Sequence, residues 1–217
     1  MVAPSDEPKR PRAETTGKWT TLLTPDTAVI AVIDFQSSQA VRLQSSEAPL
    51  LVENAAALVK IAAVFGVPLI LSTSRESDDG ELIGEVSDAA AQASLTVRAT
   101  GRRNAWEDPS FRNAILCADR RKLVLAGLFT EEAITLTTIA ALEAGFEAYV
   151  VLDACGATSA DAHHVAIRRL EQAGAIPVTT RQVAREFLDV RNTPEARAAV
   201  RAIEEAHFSI GPPESTP

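Results

Sequence analysis

Asp34 directly follows the apolar run AVIAVI at residues 28–33. A carboxylate ending such a strand emerges at the carboxyl edge of a parallel sheet, where open α/β folds keep their ligands. Partly desolvated there, it gains a raised pKa and can work as a general acid or base. The plainer alternative is an aspartate that caps the next helix or turn. A second stretch, LVLAGLFTEEA at residues 123–133, runs from an apolar strand through Gly127 into a helix expected to open at Glu131. The first turn of that helix lies in the positive field of its N-terminus, which suits a thiolate or a developing anion. Its occupant is Ala133, a methyl group that can attack nothing. Glu131 and Glu132 suit the same field, and one of them is available to face a pocket.

Other reactive types are few. Cys155 ends the next strand on the same sheet edge, so distance does not forbid a catalytic role, but a small cysteine there also serves as core filler. Cys117 closes a helix-like segment at 110–118 and is expected to be structural. His163, His164 and Asp161 are metal-ligand types, yet neighbours on a helix point about 100° apart, so no metal is expected. One of these histidines is expected at the pocket edge or a subunit contact. Arg98, Arg102 and Arg103 are the cations that could hold an anionic group. No phosphate-cradling glycine loop follows a strand, so no cofactor is expected.

The elements that must position these groups alternate along the chain. Strands are expected at residues 28–33, 68–72, 95–98, 122–126, 148–152 and 176–179, all short, apolar and β-branched, as strands covered on both faces are. Helices are expected at 51–65, stopped by Gly66, then at 130–144, 160–173 and 193–206, with Pro194 at a first helical position. Repeated β-α units predict an open, doubly wound, mainly parallel six-stranded sheet with helices on both faces, an α/β three-layer sandwich of flavodoxin-like order.

Of 217 residues 46% are hydrophobic, enough for one domain, expected at 21–208 between tails at 1–20 and 209–217. The basic cluster Lys9, Arg10, Arg12 reads as a solvated tail, and Trp19 with Leu22 and Leu23 as its anchor to the body or a neighbouring subunit. A net charge of −8 would repel a phosphate backbone, so no nucleic-acid partner is expected. No apolar run is expected to span a bilayer, and the N-terminus lacks a signal-peptide core, which makes a cytoplasmic protein without a membrane partner the default.

The run Val29-Ile30-Ala31-Val32-Ile33-Asp34-Phe35-Gln36 resembles the opening signature of the isochorismatase-like hydrolase superfamily. Asn104-Ala105-Trp106 with Phe111 resembles its middle signature. Residues 125–133 are similar to the stretch that carries its nucleophile, and residues 144–154 to the stretch after it. The Asn-Ala-Trp element and Arg191-Asn192 point to a subgroup of oligomeric hydrolases.

The resemblance implies a catalytic set of Asp, Lys or Arg, and Cys. The Asp carries over to Asp34. The nucleophile position carries over to Ala133, which excludes thiol catalysis from there. The basic residue is implied a few places before Asn104: Ala99 stands in register, Arg98 fits with a one-residue shift, and Arg102 and Arg103 are the alternatives. The implied substrate pocket is apolar and includes Phe35, Asn104, Trp106, Leu128, Phe129 and Thr130. A non-proline cis peptide is implied at Leu128–Phe129. Isochorismatases proper also carry a small residue at the nucleophile position and hydrolyse a vinyl ether by acid catalysis from the strand-end Asp. The expectation is therefore a homo-oligomeric hydrolase of a small molecule that works without a cysteine. The alternative is a pseudoenzyme kept for ligand binding or assembly.

Overall fold

Every residue of β1 (Ala28–Ile33) is buried, because the strand meets helices on both faces. Its alternating side chains feed two separate cores. Ala28, Ile30 and Val32 join one, and Val29, Ala31 and Ile33 the other. The computed structural model describes residues 22–90, 95–99 and 102–208, apart from the side chains of residues 76 and 95–99. The tail residues 1–20, with the basic cluster and Trp19, lie outside the described residues.

After β1 come α1 (Ser37–Ala40), α2 (Ala48–Phe65), β2 (Leu69–Thr73), α3 (Glu76–Asp79), α4 (Gly84–Ala90) and β3 (Leu95–Ala99). A 3-10 turn (Ala105–Glu107) and α5 (Pro109–Cys117) lead to β4 (Lys122–Leu128). A single π-helical turn (Thr130–Ile134) then runs into α6 (Thr135–Glu143). The chain ends with β5 (Glu147–Gly156), α7 (Ala160–Ala173), β6 (Ile176–Val178), α8 (Thr180–Val190) and α9 (Pro194–His207).

The strands lie in the order β3-β2-β1-β4-β5-β6, not the flavodoxin-like order expected, because the chain returns from β3 at the sheet edge to place β4 beside β1; every neighbouring pair is parallel. β6 is a three-residue edge strand, while the others run from five to ten residues. Helices α2, α4, α8 and α9 cover one face and α5, α6 and α7 the other. Strand order turns back between β1 and β4, so their carboxyl ends open the crevice where such sheets bind ligands.

Several boundaries differ from expectation. β4 reaches Leu128 and β5 reaches Gly156, because residues 151–154 of β5 stand opposite Ala126 alone and the pairing then resumes at Gly127 and Cys155. The helix expected at 130–144 does begin at Thr130, but its first turn is π-helical. α8 went unforeseen; it is capped reciprocally by Thr179 and Gln182. By length and composition α2 could cross a membrane, contrary to expectation, but 61% of it is buried inside the fold. Leu23 is fully buried and its N–H donates to Glu186 (2.5 Å), which anchors the start of the described chain.

Candidate active site

Asp34 extends the β1 ladder by one bond, its N–H donating to Ser72 O at 2.8 Å. There the chain turns: Asp34 has φ +57°, and its carbonyl accepts from Gln36 N at 2.7 Å. Left-handed backbone costs a non-glycine residue about 1–3 kcal/mol, and aspartate is among the types that tolerate it. The residue is 4% exposed, and its Oδ1 has no hydrogen-bond partner among the described residues. Burial pushes its pKa up to about 7, the Asp79 carboxylate adds to the rise, and the Ser74 N–H pulls it back. Asp34 caps nothing, since α1 starts beyond Gln36 without a side-chain cap.

At the end of β4, a Cβ on Gly127 would stand 2.4 Å from Ile33 O and 2.9 Å from the Ile134 Cδ1, so only glycine lets β1, β4 and the π turn approach so closely. The Leu128–Phe129 peptide is cis. Phe129 O then accepts from both Glu132 N (3.1 Å) and Ile134 N (3.2 Å), which opens the π turn and carries Ala133 to the mouth of β1.

Asp34, Leu128, Phe129 and Ala133 line one cleft of about 280 Å³. Gln39 and Arg42 close it from the α1 side, and Ser74, Arg75, Asp78 and Asp79 from the loop after β2. Arg102, Arg103 and Glu132 complete it. Arg103 pairs with Glu132 (2.5 Å), Arg102 with Glu107 (3.1 Å) and Arg75 with Asp78 (3.7 Å). The wall is thus largely charged, which corrects the expected apolar pocket. A larger hollow of about 470 Å³ lies between α8 and α9, but its carboxylate, Glu204, is neutralised by Arg181 (3.3 Å) and Arg185 (2.5 Å).

Four residues expected to face the substrate are occupied elsewhere. Phe35 is fully buried in the core on the α2 side. Trp106 stacks edge-on against Phe146, with ring centroids 5.4 Å apart. Asn104 caps the 3-10 turn by accepting from Trp106 N at 3.1 Å. Thr130 donates to Gly156 O (3.0 Å) and meets His163 Nδ1 (2.9 Å). Of Arg98 only the backbone is described: it pairs with Ser72, and Ala99 with Thr73. His163 therefore braces Thr130. Among the described residues no three His, Cys, Asp or Glu side chains converge on a metal position.

Cys155 is fully buried, and burial pushes its thiol up to about 12, so it is filler in the second core. Cys117, expected to be structural, is exposed. Of the two glutamates, Glu132 faces the cleft, while Glu131 accepts from Thr158 N (3.0 Å) and Oγ1 (2.6 Å). Gln39, Arg42, Ser74, Arg75, Asp78 and Asp79 were missed. The dense polar run SRESDDG directly after β2, the neighbour of β1, was the available signal.

Comparison with known proteins agrees with this fold. The family model described as "Isochorismatase domain" matches residues 27–182. The probable hydrolase YcaC of Escherichia coli (strain K12) is 32% identical over 175 residues, 80% of this chain and 84% of that protein. The crystal structure of the E. coli YcaC gene product, described as an octameric hydrolase of unknown specificity, superposes with a TM-score of 0.81 at 28% identity, covering 89% of this chain and 94% of that one. YcaC from Pseudomonas aeruginosa, solved with hexane-2,5-diol and covalent acrylamide, gives 0.80 at 27% identity, covering 89% and 97%. A match over most of the chain, together with a relative above 30% identity, means that the chain belongs to the isochorismatase domain family.

Proposed function

We propose that this family member is a small-molecule hydrolase that works without a cysteine, with Asp34 as its general acid and base. The observation that carries this is the buried Asp34 carboxyl, with a pKa near 7, sharing a cleft with the inert methyl of Ala133. Ala133 stands where the family's thiol hydrolases carry their nucleophile, so the attacking group is water. A vinyl ether suits such a site. Protonated Asp34 delivers its proton to the terminal vinyl carbon, the resulting oxocarbenium ion takes up water, and the hemiketal collapses to a ketone and an alcohol. The proton released by water returns to Asp34, which closes the cycle. Arg42, the cleft arginine without an ion pair among the described residues, favours a substrate with an anionic group.

Hydrolysis of vinyl ethers, esters and amides by wild type and by Asp34→Asn tests the proposal. The expected result is a loss of about 10²–10⁴-fold in kcat/KM for the variant. A wild type as inert as Asp34→Asn across all three classes favours the second reading, a pseudoenzyme retained for ligand binding or assembly. The absence of a nucleophile at Ala133 is the feature that recommends it. In either case we infer a homo-oligomer, by similarity to the octameric YcaC of E. coli.

A further inference from the structure

Asp34 shares its cleft with a second carboxylate that has no ion pair among the described residues. Asp79, the last residue of α3, lines the same cleft, and its Oδ2 stands 2.7 Å from Ser74 Oγ. Ser74 is fixed from several sides. Its N–H donates to Gln36 Oε1 (2.7 Å) and its hydroxyl oxygen accepts from Gln39 Nε2 (2.8 Å). Its single hydroxyl proton has two acceptors in reach, Asp79 Oδ2 and Gln36 Oε1 (2.8 Å). Gln36 Nε2 in turn holds Gly80 O at 2.5 Å. Both ends of the loop that carries Asp79 are therefore tied to a side chain two residues beyond Asp34.

The remaining charges of the cleft are accounted for differently. Asp78 pairs with Arg75 on the same loop, Glu132 with Arg103 across the π turn, and Arg102 with Glu107. Arg42, beyond α1, is exposed to solvent. Among the described residues Asp79 is left as the unpaired negative charge that Asp34 faces, and none of them donates to Asp34 Oδ1. Two carboxylates sharing a part-buried site resist ionising together, so the charge on Asp79 disfavours the ionised form of Asp34.

We propose that Asp79 is a positioning residue for Asp34: fixed by Ser74, its carboxylate keeps the proton on Asp34, so that Asp34 enters the reaction as an acid. The inference rests on the proposed role of Asp34 in catalysis. Burial is the largest contribution and Asp79 the adjustable one.

The test uses the full chain labelled with ¹³C-carboxyl aspartate, titrated by NMR without substrate. The Asp34 signal is assigned by its loss in Asp34→Asn. In wild type it titrates near pH 7. In Asp79→Asn the midpoint falls by at least about half a unit, a roughly threefold or greater weakening of proton binding. Ser74→Ala lowers it too, because the Asp79 carboxylate loses the hydroxyl that holds it in the cleft. Asp78→Asn, whose partner is Arg75, leaves it in place. An unmoved midpoint in a folded Asp79→Asn, or a wild-type midpoint near 4, overturns the inference. The catalytic reading fails separately, if Asp34→Asn retains full turnover.

Discussion

Asp34 makes the protein's stability depend on pH in an unusual direction. Its carboxyl titrates near 3.8 when free and near 7 in the fold, so the native state holds more protons between those values. The contribution is full below pH 3.8 and is lost as the pH rises through 7. Asp34→Asn removes the buried charge and keeps a residue type that accepts left-handed backbone. It is expected to stabilise the protein at pH 8, with a ceiling of about 4 kcal/mol, and to change little at pH 4. Urea unfolding at the two pH values measures this; equal midpoints for variant and wild type at pH 8 would refute it. The thiols give a second contrast at this scale. Iodoacetamide should modify exposed Cys117 in the native protein and reach Cys155 only after unfolding, as mass spectrometry of the peptides will reveal. Alkylation of native Cys155 would reopen a thiol mechanism. Asp34 was legible in the sequence because a carboxylate after six buried-type residues has few places to go. Its neighbours Ser74 and Asp79 were not, because polar residues in a connection look alike whether they face solvent or a cleft.

Among the elements, the close approach of β1, β4 and the π turn depends on Gly127. Gly127→Ala would press a methyl against Ile33 O, so one strand or the turn must shift. The expected cost is about 1–3 kcal/mol, read as a lower Tm, and activity should fall further because Asp34 and Ala133 would separate. An alanine variant with wild-type Tm would mean that the strands yield at no cost. Strands β1, β2 and β4 could be read from composition, since double burial leaves near-continuous Val, Ile and Leu. The irregular pairing of β5 could not, because a bulge is set by the neighbouring strand. α8 escaped notice because its start sits directly behind β6, and Thr179, expected as the last strand residue, is instead its cap. The aromatic residues Phe35 and Trp106 looked like pocket lining in sequence, and each instead fills a core, where burial of an aromatic ring gains most.

For the whole molecule, family membership and the octameric relative lead to an expectation about assembly. Val41 and Val165 are 83% and 67% exposed on the isolated chain, the sort of apolar surface that a neighbouring subunit covers. Light scattering should return a mass that is a multiple of 23.1 kDa, and a monomer at micromolar concentration would contradict it. The doubly wound architecture was legible because β-α alternation and the right-handed crossover leave few topologies open, although the order of its strands was not. The charged character of the cleft was not legible, because its arginines and carboxylates come from four connections whose convergence exists only after folding.

The two-sided packing of β1 has one further consequence. Because its odd and even positions belong to different cores, sliding the strand by a single residue would exchange the contents of both at once. It would also withdraw Asp34 by about 3.3 Å from the sheet's rim. No misaligned yet serviceable arrangement is open to this chain: the same zipper that seats the hydrophobic layers sets the reach of the acid.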